Sequence, residues 1–140
     1  MRIGEVARRS GVGVETVRFY ERRGLLVRPP RPQRGFRSYP AETVARIRFI
    51  REAQAVGFSL EEIRELLELR ADPAADCARV RRRAQAKLAQ LDAKLRLLLN
   101  MRRALELLVS ACPGEGPVER CTILEAISRA RAHELVEAES

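Results

Sequence analysis

Residues 3–24 read IGEVARRSGVGVETVRFYERRG, and this stretch decides the fold of the N-terminal part of the chain. Apolar residues recur with helical spacing in 3–9 and again in 14–23, where the second run ends at Gly24. The intervening residues 10–13 are short and rich in glycine, as a tight turn requires. The stretch therefore predicts a helix, a turn and a second helix, the helix-turn-helix motif.

Positive charge is concentrated around this motif. Residues 1–40 carry ten arginines and three glutamates, a net charge of +7, out of a formal +8 for the whole chain. A solvated basic face is the alternative, but acids that would pair with these arginines are few. The side chains that the second helix presents suit phosphates and base edges in the DNA major groove: Glu15, Thr16, Arg18, Tyr20, Arg22 and Arg23.

Composition limits the class of protein. A chain of 140 residues with 46% hydrophobic residues forms one or two small domains with a modest core. Neither a run of membrane-spanning length nor an apolar signal segment is found, so we expect a cytoplasmic location without membrane association. The single histidine, His133, is isolated, which leaves an enzyme without a general base, so the chain is not expected to be an enzyme.

A basic wing and two more helices are expected after the motif. Residues 28–39 are too rich in proline for a helix, and the alternation that follows Gly35 predicts a short strand after a turn. A helix is predicted from Pro40 to about Val56. Another is predicted from Ser59 to about Arg70, opened by the capping box of Ser59 and Glu62. Their apolar faces are expected to pack on the helix-turn-helix.

The second half of the chain predicts one long helix from about Asp72, a candidate N-cap, to Leu108. Its apolar residues step by four and three, as in a coiled-coil seam: Ala84, Leu88, Leu91, Leu95 and Leu98. A monomeric core helix is the alternative, but basic residues on the other faces favour a rod. A second capping box, Thr122 with Glu125, predicts a short final helix, and His133 beyond it is expected at the surface.

Three cysteines, Cys77, Cys112 and Cys121, flank this helix and the loop that follows it. A helix rises about 1.5 Å per residue, so Cys77 and Cys112 of one chain would lie roughly 50 Å apart. If the helix pairs antiparallel with a second copy, Cys77 of one subunit meets Cys112 and Cys121 of the other. An odd number of cysteines argues against a disulfide framework, and the Pro- and Gly-rich loop offers no apolar environment. Thiolates select soft metal ions, so a metal site shared between two subunits is predicted.

The chain resembles the MerR family of transcription regulators. Residues 16–26 (TVRFYERRGLL) are similar to that family's recognition helix, 35–39 (GFRSY) to its wing, and the resemblance continues through 58–63 (FSLEEI) to the cysteine loop. It implies a mainly α fold with a winged helix-turn-helix domain in 1–71, an antiparallel dimerisation helix in 72–111, and a metal-binding loop with a short C-terminal helix in 112–140. The resemblance implies phosphate contacts from Arg18, Tyr20, Arg37 and Tyr39, and base contacts from Glu15 and Thr16.

The cysteine spacing resembles that of the mercury-responsive members of the family, which implies Hg(II) bound across the dimer by Cys77, Cys112 and Cys121. Pb(II) and Cd(II) are the alternatives, since lead regulators share the layout and Glu115 or Glu119 could offer an oxygen to Cd(II). A thiol-based oxidant sensor is a further alternative. The resemblance also implies a homodimer that represses a resistance promoter, or holds it poised, and, with metal, distorts its double-stranded DNA so that RNA polymerase can use it.

Overall fold

The computed structural model describes residues 1–129 of the chain, and this range is mainly α-helical, as predicted. His133, predicted at the surface, lies outside the described residues. The helices of the described range are α1 Ile3–Ser10, α2 Val14–Arg22, α3 Glu42–Ala55, α4 Leu60–Ala71, α5 Cys77–Ala111 and α6 Thr122–Arg129, with a 3-10 turn at Val118–Arg120. The chain divides into two compact units, Met1–Lys87, which we call the head, and a second unit that begins at Leu88.

The turn between α1 and α2 depends on Gly11. This residue has φ of 72°, and the N–H groups of Gly11 and Val12 donate to the carbonyls of Arg8 and Ala7 at 3.2 and 3.0 Å. Arg51 of α3 donates to the Gly11 carbonyl at 3.1 Å. A Cβ on Gly11 would lie 3.1 Å from Arg51 Nη1, so both the backbone angle and the close approach favour glycine here.

The core of the head is shared by all four of its short helices. Its fully buried large side chains come from α1, α2, the turn after α2, α3 and α4: Val6, Val17, Leu25, Ile47, Ile50 and Ile63. The apolar stripe predicted on the third helix is buried at Val44, Ile47, Ile50 and Ala53, which confirms that expectation. The helix-turn-helix is therefore held rigidly by α3 and α4 packed against it.

The strand predicted in the wing is wrong: the part of the chain from residue 1 to 129 contains no β-strand. The Tyr39 N–H donates to the Met1 carbonyl at 2.7 Å, and the Met1 ammonium donates to the Tyr39 carbonyl at 3.0 Å. This pairing joins one residue on each side, because α1 begins at Ile3 and leaves no extended neighbour for a longer ladder. The wing is an extended segment anchored at its C-terminal end.

The predicted start of the long helix is also wrong. Asp72 closes a turn instead, with its carboxylate accepting from the Ala74 N–H at 2.9 Å. Asp76 does the same for Ala78 at 2.9 Å, immediately at the first turn of α5. Aspartates compete with helix by such local bonds, and the second aspartate, not the first, precedes the helix. In contrast, the Ser59–Glu62 capping box at the start of α4 is confirmed.

The second unit contains the remainder of α5, the cysteine loop and α6. The final helix begins at Thr122 as predicted, but the predicted capping box is wrong. The Thr122 hydroxyl donates to the Ala111 carbonyl at 3.1 Å, while the Glu125 carboxylate pairs with Arg129. Thr122 therefore ties the start of α6 to the end of α5. Among the described helices, none is both long and apolar enough to cross a membrane.

Candidate functional site

A basic groove of about 1350 Å³ lies on the head between α1, α2 and the wing. Among the described residues that line it are seven arginines: Arg2, Arg8, Arg18, Arg22, Arg28, Arg31 and Arg37. Glu5 and Glu21 also line the groove, so the lining is strongly positive. A groove with clustered guanidinium groups is suited to a phosphate backbone.

On α2, the predicted base-facing Glu15 and Thr16 lie within one turn of the predicted phosphate-facing Arg18. The Arg18 guanidinium is 3.9 Å from the Glu15 carboxylate, and the two side chains are 55% and 86% exposed. Thr16 between them is half-buried. An ion pair this long and this exposed holds Arg18 weakly, so its guanidinium remains available to a phosphate.

Arg37 of the wing carries a polar atom that needs a partner. Within residues 1–129, its Nε is buried and has no hydrogen-bond partner. A buried donor without an acceptor is unfavourable, and a phosphate oxygen entering the groove would satisfy it. Nearby, the Arg2 guanidinium lies 4.2 Å from the centre of the Phe36 ring. Arg2 is not among the DNA-contacting residues that the sequence predicts, although the excess of arginine before residue 40 is a sign that residues in this region contact phosphates.

Tyr20 and Tyr39 are placed in the core of the head, each 4% exposed. The Tyr20 hydroxyl donates to Gln54 Oε1 at 3.1 Å, and the Tyr39 hydroxyl donates to the Glu21 carboxylate at 3.2 Å. Burial raises the pKa of both hydroxyls, and for Tyr39 the charge of Glu21 raises the pKa further. Both protons are thus directed to protein acceptors. A phosphate would have to replace Gln54 or Glu21 to receive them.

The second unit brings two thiols together. Cys112 and Cys121 flank a loop that reverses through Gly114 and Gly116, both with positive φ, and Cys112 lies near enough to Cys121 to contribute to the lowering of its thiol pKa. The backbone N–H of Leu124 at the start of α6 is the main cause that lowers the pKa of the Cys121 thiol. A helix N-terminus stabilises a thiolate in this way, which is the form that binds metal.

Cys77 is exposed and is the first residue of α5, whereas Cys112 follows the last residue of that helix. Across residues 1–129 of the single chain, no group of three or more potential ligand side chains is positioned to hold a metal ion. One chain therefore supplies a pair of adjacent thiols at the C-terminal end of α5 and a third thiol at its N-terminal end.

Comparisons with known proteins match most of the chain to one family. Residues 1–69 match the family described as MerR HTH family regulatory protein, and residues 44–108 match the family described as MerR, DNA binding. The HTH-type transcriptional regulator HmrR of Rhizobium leguminosarum bv. viciae is 45% identical over 128 residues, covering 91% of this chain and 98% of that relative.

Two solved structures are similar over nearly the whole chain. The transcription regulator PbrR691 from Ralstonia metallidurans CH34, in complex with lead(II), has a TM-score of 0.83 and 38% identity, covering 91% of this chain and 98% of that one. The dual function transcriptional regulator MerR from Bacillus megaterium MB1, in complex with mercury(II), has a TM-score of 0.70 and 34% identity, covering 91% and 99%. The chain therefore belongs to the MerR family of helix-turn-helix regulatory proteins, which are transcription regulators and not enzymes.

Proposed function

We propose that this chain is a metal-responsive transcription regulator that binds promoter DNA as a homodimer and responds to Hg(II) through Cys77, Cys112 and Cys121. The observation that carries the proposal is the thiol pair of Cys112 and Cys121, with the Cys121 thiolate stabilised at the start of α6. Two thiolates favour a soft metal ion, and a third would complete a site of net charge −1 around a divalent ion.

The third thiol comes from the second subunit. A helix of 35 residues is about 50 Å long, so Cys77 cannot reach the Cys112–Cys121 pair of its own chain through a continuous α5. An antiparallel pair of α5 helices would bring each Cys77 to the thiol pair of the other copy. The face for this pairing carries exposed leucines at steps of three and four: Leu88, Leu91, Leu95 and Leu98.

Mercury is the ion that fits an all-sulfur site best, since the Cys112–Cys121 loop contains no histidine. The similarity to a MerR structure that contains mercury(II) supports this assignment. Pb(II) is the second candidate, because the structure of PbrR691 with lead(II) gives the higher TM-score, 0.83 against 0.70. Cd(II) would gain an oxygen ligand from Glu115 or Glu119 in the same loop.

For DNA, we propose that Arg18 and Arg37 contact phosphates, while Glu15 and Thr16 face base edges. Tyr20 and Tyr39 contact phosphates only where DNA displaces their present acceptors, so their larger contribution is to position α2 and the wing. The dimer represses the promoter until metal binds. Metal then favours a dimer arrangement in which the bound DNA is distorted into a form that RNA polymerase can use.

The test is a heterodimer of a Cys77→Ser subunit with a Cys112→Ser subunit. Each mutant homodimer lacks both complete sites. If the sites are shared between subunits, the intact Cys77 of one subunit meets the intact Cys112 and Cys121 of the other, and one site returns. We expect one tightly bound Hg(II) per heterodimer, measured by metal stoichiometry in the presence of a competing thiol. A heterodimer that binds as poorly as both parents would rule out the shared site.

The choice of ion is tested separately by in vitro transcription titrated with Hg(II), Pb(II), Cd(II), Zn(II), Cu(I) and an oxidant. The strongest induction is expected from Hg(II), and X-ray absorption of the Hg(II) protein should show three sulfur neighbours. A first shell with nitrogen or oxygen, or induction by Pb(II) or Cd(II) alone, would transfer the assignment to those ions. Induction by the oxidant alone would replace metal sensing with oxidant sensing.

A further inference from the structure

Two ion pairs join α4 to the first turns of α5 within the head. Glu62 Oε1 lies 2.7 Å from Lys87 Nζ, and Glu65 Oε2 lies 2.7 Å from Arg83 Nη1. The two acids are three residues apart on α4 and the two bases four residues apart on α5, so each pair of side chains projects from one helical face. We call these four residues the α4–α5 joint.

The two pairs differ in burial. Lys87 is 8% exposed, and within residues 1–129 it is the one charged residue that is buried. A buried ammonium group requires a partner, and Lys87 has the Glu62 carboxylate on one side and the Phe58 ring centre 5.8 Å away. The side chains of Arg83 and Glu65 are 50% and 38% exposed, so solvent screens that pair. Lys87 with Glu62 therefore forms the stronger part of the joint.

Glu62 connects this pair to the start of α4. Its Oε1 atom accepts from the Ser59 backbone N–H at 2.8 Å as well as from Lys87, and the Ser59 hydroxyl accepts from the Glu62 N–H at 3.2 Å. The Lys87 ammonium, followed by the Ser59 N–H, lowers the pKa of Glu62 to about 2. Phe58, immediately before the capping box, packs against the core of the head. The capping box and α5 thus share one carboxylate oxygen, and the adjacent Phe58 ties the same segment to the core.

We propose that Lys87 and Glu62 are positioning residues that hold the first turns of α5, residues 77–87, on α4 and so couple the metal-bound state of the dimer to the DNA-binding surface. This inference rests on the proposed metal response. Lys87 is the last residue of the head, so this pair holds the end of the α5 segment that belongs to the head. An ion pair with one buried charge resists displacement of either helix, because its energy depends on the positions of both charges.

The experiment compares purified homodimers in transcription from the chain's own promoter, without metal and with saturating Hg(II). Lys87→Met removes the ammonium and keeps the aliphatic stem, and Lys87→Arg restores the charge. We expect Lys87→Met to lower the induction ratio about tenfold, within the usual range of coupling between sites, while operator affinity and Hg(II) affinity change less than about twofold. Lys87→Arg should recover most of the induction.

Two matched control variants distinguish a loss of coupling between metal and DNA binding from a loss of folding stability. Ser59→Ala weakens the capping box but leaves the ion pair, and Arg82→Met removes a charge from the exposed surface of α5. Both variants should induce like the wild type. If Ser59→Ala loses induction as Lys87→Met does, or if Lys87→Met loses operator affinity in parallel with induction, the pair only stabilises the head and the proposal is overturned.

Amide hydrogen exchange of the metal-free protein provides a readout that does not depend on metal. Residues 77–87 should exchange about tenfold faster in Lys87→Met than in the wild type, and at the wild-type rate in Arg82→Met. Unchanged exchange in Lys87→Met would show that the Lys87–Glu62 pair does not hold residues 77–87 in place. A wild-type protein that responds to none of the metals would refute the proposed function instead, and the exchange result would still decide whether the joint holds α5.

Discussion

Apolar side chains of the head and of α5 have opposite environments in the single chain. Ile47, Ile50 and Ile63 are fully buried in the head, whereas Leu88 and Leu95 on α5 are 59% and 56% exposed. The head reaches this burial because four short helices pack around one core. One long helix cannot bury a leucine stripe against itself. The head therefore buries its apolar side chains within one chain, whereas the leucine stripe of α5 stays exposed in the single chain, as the proposed dimer requires.

The largest effect is expected from the core of the head. Ile47→Ala should reduce the free energy of unfolding by about 2–5 kcal/mol, because it leaves a cavity at a fully buried position. Urea unfolding measured at two protein concentrations should show the same loss at both. Val56→Ala, at a position that is 61% exposed, serves as the control and should change stability by less than about 0.5 kcal/mol. A loss of unfolding free energy that disappears at high protein concentration would contradict the expectation that the core of the head is complete within one chain.

The Glu62–Lys87 ion pair within the head makes the stability of the protein depend on pH. The pKa of Glu62 is lowered to about 2, so its pairing stabilises the fold fully above the ordinary value of 4.5 and is lost as pH falls towards 2. We expect the wild type to exceed Lys87→Met in stability by about 2 kcal/mol near neutral pH, allowing for solvent at Glu62. Unfolding at about pH 6 and about pH 3 should show this difference shrinking. A difference that stays constant would mean that Lys87 stabilises the head by packing alone.

A substitution in the leucine stripe of α5 should weaken dimerisation, whereas one in the core of the head should reduce the free energy of unfolding. Leu95→Ala is expected to weaken dimerisation by about 1–2 kcal/mol, since both copies lose apolar contact area. Sedimentation equilibrium of the metal-free protein measures the change in the dissociation constant. Arg96→Ala, at the adjacent exposed position, is the control. A seam variant that leaves the dimer unchanged but unfolds the single chain would show that α5 is a core helix of one subunit.

The smallest effect concerns charge on the head. Arg18→Ala and Arg37→Ala should each lower the salt dependence of DNA binding by about one unit of slope, because each phosphate contact releases counterions. Binding measured from about 50 to 200 mM salt gives the slope. Arg102→Ala on α5, where the guanidinium pairs with Glu106 at 2.9 Å, should leave it unchanged. Equal salt dependence in all three variants would contradict the proposal that arginines of the head, and not of α5, contact the phosphates.

Much of the helical architecture could be predicted because its signals are local. Helical periodicity in 42–55 and the Ser59–Glu62 box act over three or four residues, and both are present in the structure. The wrong predictions also come from local signals, because a local signal can be compatible with more than one structure. Asp72 and Asp76 offer equivalent caps, and the wing alternation does not say whether a neighbouring strand exists. Choosing between such options requires knowing what lies beside the segment.

The features of the candidate site also divide into those that the sequence predicts and those that depend on the tertiary structure. Composition, spacing and helix geometry alone predict the clustered arginines, the helix-turn-helix and the length of the helix that separates Cys77 from Cys112. Only the tertiary structure decided that the Tyr39 hydroxyl pairs with Glu21, 18 residues away, and that Glu62 pairs with the buried Lys87. Such contacts join residues distant along the chain. They exist only after the core has brought their helices together, which no local pattern records.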